Sequence, residues 1–374
     1  MTFEQIQPGD PAPKFRQATA TTPEFAFDTL GGRYVLLCFF GSAADPQSRA
    51  ALAAMAGLSD LFDDENACFF GVTVDPADPA TGRVEPRIPG YRYFHDFDLA
   101  VSRLYGAAEQ GASPPAGGEG LRMRRKWVLV DPMLRVREVV DFASDGSDIT
   151  RITAIMRALP PPHRHAGFEV PAPILVLPHV FEPALCDHLV ALYRADGGEE
   201  SGFVRQVDGK TVGVNDRAHK SRRDHILQDS ALINGLRSRF LRRVVPEIAK
   251  VHQFHVTRME RFIVSCYAAD EGGHFRPHRD NTTSGTAHRR FAVSVNLNDD
   301  FEGGEVSFPE YGPRGYKAPK GGAVVFSCSL LHAVSRVTAG ERFAFLPFLY
   351  DDAAAEIRKQ NNKFLDESIG SYQG

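Results

Sequence analysis

Two histidines, two arginines and an aspartate fall within the eight residues HFRPHRDN, 274–281. His278 and Asp280 form a His-x-Asp pair, an imidazole and a carboxylate of the kind that hold first-row divalent metals. In extended backbone the period of two places both side chains on one face. The pair is weak evidence alone, since a 374-residue chain with 13 His is expected to contain one by composition. A third ligand must come from a neighbouring segment, and His332 closes the apolar run AVVFSCSLLH, 323–332. Two imidazoles and one carboxylate on one face of a metal leave its other positions open for a bidentate co-substrate and O2. That donor set suits Fe(II).

Arg342 sharpens the expectation. The turn TAGE, 338–341, is expected to close a hairpin between HAVSRV and RFAFLPF. With its centre near residue 339, His332 pairs with residue 346 and Arg342 lies four residues away on the same face. Four residues span roughly 13 Å of strand. A guanidinium reaching back part of that distance would meet the far carboxylate of an extended five-carbon diacid whose near end chelates the metal.

These residues need strands to hold them, and after residue 258 strands are what the pattern predicts. MERFIVSCY, RRFAVSVNLND, GGEVSF, GGAVVFSCSL, LHAVSRV and RFAFLPFLY are six β-compatible runs separated by Gly, Asp and Pro turns. They point to a β-sandwich or barrel. Helices are expected ahead of it, at EPALCDHLVALY (182–193) and SALINGLRSRFLRRVVPEI (230–248). Between them Asp208-Gly209 is a hairpin signal. Arg205, Lys210, Arg217 and Lys220 lie in a polar stretch that could lid the site, and His274, Arg276, Asn281 and Arg289 are further candidates for substrate contact.

The first part of the chain reads differently. RYVLLCFF (33–40) and ACFFGVTVD (67–75) are apolar runs typical of strands covered on both faces. The helix pattern PQSRAALAAMAGLSDLF (46–62) lies between them, and KWVLVD and RVREVVDF follow as two more strands. This is an α/β layer domain. A helix over 148–159 leads into PPPHRHAGFEVPAP, whose three prolines end it. The division is therefore placed between a first domain of residues 1–160 and a second of 168–374. QGASPPAGGEG, 110–120, is expected to be a Gly/Pro/Ala loop.

Composition bounds the function. A net charge of −4 argues against nucleic acid as an obligatory partner, despite the basic runs RMRRK and RSRFLRR. No 18-residue apolar run is present, so no membrane partner is expected. Five scattered cysteines without a C-x-x-C fit a reducing compartment, and the expected location is cytoplasmic.

Two resemblances cover most of the chain. Residues 5–158 resemble the peroxiredoxin branch of the thioredoxin fold through GDPAPKF, YVLLCFFGS, FGVTVDP, YFHDFDLAVSRLYG and RRKWVLVDPMLRV. The departures are decisive: Gly41 stands for the family's proline, Asp45 for its threonine, and Ser48 lies near the position of its peroxidatic cysteine. Arg125 matches the activating arginine with no thiol to activate. This domain is expected to be silent as a peroxidase and to serve docking, dimerisation as a homodimer, or substrate presentation.

Residues 168–352 resemble the Fe(II)/2-oxoglutarate dioxygenases, within them the prolyl 4-hydroxylase-like group. The carriers are HRD at 278–280, His332, the basic Arg342, and the segments DDFEGGEVSFPE and PKGGAVVFSCSLLHAV. The resemblance implies a double-stranded β-helix (jelly-roll) with supporting helices, making the whole an α+β two-domain protein. It implies Fe(II) on His278, Asp280 and His332, and 2-oxoglutarate as co-substrate with Arg342 and Tyr267 on its carboxylate. It implies ascorbate as an accessory reductant. The implied reaction is hydroxylation of an aliphatic C–H bond, in a prolyl or other residue of a peptide or protein, or in a free amino acid, releasing succinate and CO2. The alternative is a thioredoxin-fold redox or interaction protein with a vestigial oxygenase domain.

Overall fold

The first unit is built on one strand. Tyr34–Gly41 (β1) is buried along its whole length, and so is its neighbour Ala67–Thr73 (β2). Alternation sends Tyr34, Leu36, Cys38 and Phe40 into one apolar cluster and Val35, Leu37 and Phe39 into another. A strand with two dry faces must sit between two covering layers. The computed structural model describes residues 3–113 and 121–367, so residues 114–120 of the expected loop lie outside the described residues.

The five-stranded sheet is completed by Tyr91–His95 (β3), Lys126–Val130 (β4) and Val136–Asp141 (β5), in the order β3-β2-β1-β4-β5. β1, β2 and β3 run parallel, whereas β4 and β5 are antiparallel additions. Helix α1, Pro46–Ala56, follows β1 directly and Ser147–Arg157 (α2) closes the unit. This is a thioredoxin-like sheet. α1 stops at Gly57, several residues short of the expected 62, because the chain turns there.

The chain divides into two compact units, residues up to Pro171 with Pro309–Gly312, and Ala172–Phe308 with Pro313 onward. In the second, Pro183–Asp196 (α3), Ser230–Arg243 (α4) and Val245–His252 (α5) are the supporting helices. The single helix expected over 230–248 is two, because Pro246 has no N–H to continue the ladder through Val244.

Most strands of this unit form two sheets. In chain order they are Leu175–Leu177 (β6), Glu199–Glu200 (β7), Phe203–Val207 (β8), Lys210–Val214 (β9), Lys220–Ser221 (β10), Arg223–Ile226 (β11), Arg258–Glu260 (β12), Ile263–Ala268 (β13) and His274–His278 (β14). Then follow Phe291–Asn296 (β15), Val306–Ser307 (β16), Gly315–Tyr316 (β17), Ala323–Ser327 (β18), His332–Val334 (β19), Glu341–Phe345 (β20) and Phe348–Tyr350 (β21). The nine-stranded sheet runs β12-β21-β15-β20-β13-β11-β7, with β18 beside β15 and β6 beside β18. The five-stranded sheet runs β10-β14-β19-β16-β17. β8 and β9 pair as a hairpin whose tip, Asp208-Gly209, has positive φ at both residues, as a type I′ turn demands.

Period two sorts the large sheet's residues. Val264, Cys266, Val293, Val295, Phe343 and Phe345 join Leu189, Leu236, Phe240 and Ile248 of the helices in one core. Tyr267, Ser294, Asn296 and Arg342 alternate with them and take the opposite face. The sheets together make the double-stranded β-helix. The expected strand 259–267 is broken at Arg261, whose φ of 64° separates β12 from β13. No helix among the described residues is long and apolar enough to cross a membrane.

Candidate active site

His278 ends β14 and His332 begins β19, and the two are direct partners across the small sheet. Their ring centroids are 4.2 Å apart. Asp280 lies just past the strand, in the turn, where its N–H donates to the Cys328 carbonyl at 3.0 Å. Its carboxylate reaches both rings, with Oδ1 3.6 Å from His278 Nε2 and Oδ2 3.3 Å from His332 Nε2. One ligand atom from each residue lies within 4.8 Å of the others.

The backbone fixes how these rings point. His278 Nδ1 lies 2.8 Å from the Arg276 carbonyl and His332 Nδ1 lies 3.1 Å from the Leu330 carbonyl. A carbonyl only accepts, so each Nδ1 carries the proton and each Nε2 presents a lone pair towards Asp280. Burial pushes His332 down to about 4, keeping it a neutral donor. Burial works to raise Asp280, and a proton on His332 or His278 beside it would hold the carboxyl well below its ordinary value. Two neutral nitrogens and one ionised carboxylate fit a divalent cation. Phe275 stacks on His278 at 3.5 Å and Phe326 packs against His332 at 4.6 Å, an apolar shell that limits the rings' rotation.

Arg342 lies on β20 of the large sheet, directly across from Tyr267 on β13. Its Nε donates to Asn296 Oδ1 at 3.1 Å and its Nη2 to Ser294 Oγ at 2.6 Å. Its Nη1 is buried and has no partner among the described residues. Only 2% of the residue is exposed, so bulk solvent does not reach it. Burial pushes its pKa down, yet a guanidinium keeps its charge in proteins. An unmet buried donor costs about 1–3 kcal/mol, more when charged. The arrangement calls for an anion. Gly304 makes the approach possible: at φ +70° it carries no Cβ, and one built there would lie 2.9 Å from Arg342 Cδ.

The expected hairpin carrying both His332 and Arg342 is corrected here. β19 pairs with β14 and β16, the segment Val337–Ala339 pairs with Glu302–Gly303, and β20 pairs with β13 and β15. The chain leaves one sheet for the other between the two residues, so His332 never pairs with residue 346.

The other candidates divide. Arg289 is held by Glu260 at 2.8 Å, and both ring nitrogens of His274 meet backbone carbonyls, of Gly272 and Ala218. Asn281 donates to Ser329 Oγ, while Arg276 and Arg205 are exposed. Lys220, grouped with the polar lid, is instead buried and donates to Ser201 Oγ at 2.7 Å. Ser294 and Asn296 were not singled out from the sequence, although their polar alternation in FAVSVN was the available signal.

In the first unit, Ser48 is buried in α1 with its Oγ donating to the Phe40 carbonyl at 2.7 Å. Asp45 caps the helix by accepting from Ser48 N at 2.9 Å and is ion-paired to Arg125. Cys38 and Cys68 lie inside β1 and β2, and burial raises both thiols, Cys68 to about 12. Neither offers a thiolate at neutral pH.

Known proteins divide along the same lines. Residues 262–350 match the 2OG-Fe(II) oxygenase superfamily and residues 8–139 match the AhpC/TSA family. A PKHD-type hydroxylase of Maricaulis maris is 31% identical over 150 residues, 39% of this chain and 65% of that protein. A PKHD-type hydroxylase of Shewanella frigidimarina is 38% identical over 72 residues, 19% of this chain and 32% of that one. The chain thus spans less than two thirds of either relative. Among solved structures, a Trichoplax adhaerens prolyl hydroxylase aligns over 49% of this chain and 86% of its own, at 16% identity and a TM-score of 0.37. Peroxidoxin BcpB from Mycobacterium tuberculosis aligns over 42% and 99%, at 20% identity and a TM-score of 0.34. The chain is a fusion of a peroxiredoxin-like segment, without the peroxidatic cysteine, and a 2OG-Fe(II) oxygenase-like segment.

Proposed function

We propose that this protein is an Fe(II)- and 2-oxoglutarate-dependent dioxygenase that hydroxylates an aliphatic C–H bond. The observation that carries the reading is the pairing of a three-donor set, His278, Asp280 and His332, with a buried arginine whose Nη1 has no partner among the described residues. His278, Asp280 and His332 would hold the metal. Arg342, with Ser294, Asn296 and Tyr267 around it, would take the far carboxylate of 2-oxoglutarate. Bound there, Fe(II) supplies the activation of O2 that couples decarboxylation of 2-oxoglutarate, to succinate and CO2, with hydroxylation.

The chain's own part is orientation and exclusion. The Arg276 and Leu330 carbonyls fix the imidazole tautomers, and Phe275 and Phe326 keep water from the rings. The PKHD-type relatives, hydroxylases by name, support the reaction class. The substrate proposed from the family resemblance is a peptide or protein residue, prolyl first, or a free amino acid. Ascorbate as accessory reductant rests on family resemblance. The first unit, its thiols inert, is proposed as a docking, dimerisation or substrate-presenting element.

The test is anaerobic titration of the purified chain with Fe(II) and then 2-oxoglutarate, followed by mass-spectrometric screening of peptides and amino acids for one added oxygen. Iron-dependent binding of 2-oxoglutarate with succinate formation is expected. Failure of the iron-loaded chain to bind 2-oxoglutarate would remove the proposal.

A further inference from the structure

Tyr267 lies between two guanidinium groups. The Arg342 Cζ stands 5.3 Å from its ring centroid and the Arg222 Cζ 5.7 Å. All three side chains are buried. The Tyr267 hydroxyl accepts a hydrogen bond from Arg222 Nη1 at 3.3 Å. A phenol has one hydrogen, and an arginine cannot accept it. Among the described residues the Tyr267 O–H meets no acceptor, and the Arg342 Nη1 beside it meets none. Arg222 Nε is likewise buried without a partner among the described residues, so three unmet donors gather at this tyrosine.

Arg222 is itself fixed. Its Nη2 donates to Asp224 Oδ2 at 2.6 Å and to Ser201 Oγ at 3.1 Å. Ser201 Oγ donates onward to Asp224 Oδ2 at 2.5 Å, and Ser265 Oγ donates to Asp224 Oδ1 at 2.6 Å. Among the described residues Asp224 is the one carboxylate bonded to either arginine, so the pair beside Tyr267 keeps an excess of positive charge. A buried ion pair is poor value as a stabilising device, because desolvation offsets most of its attraction. Its rigidity suits a different use.

We propose that Arg222 is a positioning residue for the co-substrate, acting through Tyr267: it occupies the phenol oxygen and so turns the Tyr267 O–H towards the carboxylate held by Arg342. The inference rests on the 2-oxoglutarate reading given above. It makes the site selective for a diacid, because the far carboxylate meets a guanidinium and an oriented phenol where a monoacid offers a methyl group.

The experiment is a double-mutant cycle on the full-length chain, read as the 2-oxoglutarate KM, kcat and the Fe(II) dissociation constant. Arg222→Met and Tyr267→Phe should each raise KM about tenfold to a hundredfold, leaving Fe(II) binding unchanged. The double variant should be no worse than the poorer single, since both remove the same contact. Arg222→Met combined with Asp224→Asn removes the ion pair as a unit and serves if the single variant does not fold. An unchanged KM in the folded arginine variant, or effects that multiply in the double, would overturn the role of Arg222. If Arg342→Leu raises KM while the Arg222 variants do not, only this inference falls. If the wild-type chain does not bind 2-oxoglutarate, both fall.

Discussion

Arg125 and Arg342 occupy corresponding places in two different sites, and their fates are opposite. Arg125 stands where a peroxiredoxin-like site would need a cation beside its thiolate, and it is paired with Asp45. Asp45 in turn accepts from Ser48 N and Ser48 Oγ, so the pocket's donors are met from within the chain. Arg342 has two neutral oxygen partners and a buried Nη1 with none. A site that neutralises itself has no call on a ligand, whereas one that stays charged depends on something arriving. On the proposed reading the chemistry belongs to the second unit.

The largest effect expected is on the metal set. His278→Ala or Asp280→Ala should abolish succinate formation, because each removes one of three donors. Full turnover in both variants would dissolve the contrast between the units. Next in size, Arg342→Leu should raise the 2-oxoglutarate KM about 30- to 1000-fold, from a charge-assisted contact of roughly 2–4 kcal/mol. Fe(II) affinity should hold, and Arg342→Lys should recover part of the loss without the planar fork. An unaltered KM in a folded Arg342→Leu protein would make the arginine structural.

The self-neutralised pocket can be reopened. Ser48→Cys alone should show no thiol peroxidase activity, since the Asp45 carboxylate beside residue 48 disfavours a thiolate. Adding Asp45→Thr removes that carboxylate and frees Arg125. The double variant's thiol should titrate at a lower pH than the single's, read by the pH dependence of alkylation. Equal titration in both would show that Asp45 does not close the site.

The smallest effect concerns Lys126, buried next to Arg125 in sequence. Burial lowers its pKa to about 8. The unfolded chain holds this proton more tightly, with a pKa of about 10.4. The residue therefore destabilises fully below pH 8, and stability rises as pH climbs from 8 towards 10.4. Lys126→Met should raise the melting temperature of the first unit at pH 7 and flatten that rise. A lysine can surrender its charge in this way, and Arg342 cannot.

Much of this was legible in the sequence, for physical reasons. RYVLLCFF announces a strand covered on both sides, and β1 is that strand. Asp208-Gly209 announces a hairpin, because positive φ at two successive residues is costly for most others. His278 and His332 are found opposite one another because each terminates a run with a clear strand pattern. The passage of the chain between sheets after Val334 was not legible, since a crossing and a tight hairpin share the same turn chemistry. Arg222 sits in the polar run KSRRDH, where nothing local separates a buried arginine from a solvated one. Arg289 looked free because its carboxylate, Glu260, is brought to it only by folding.

The two-sheet division of the site has a mechanical consequence. His278 and His332 belong to the small sheet, with Asp280 just past its strand, and Arg342 belongs to the large one. On the proposed reading the co-substrate is a rivet driven through both layers, and the distance between the layers is a gauge of its length. A diacid one carbon shorter or longer would need the layers to slide, which the packed helices behind the large sheet resist.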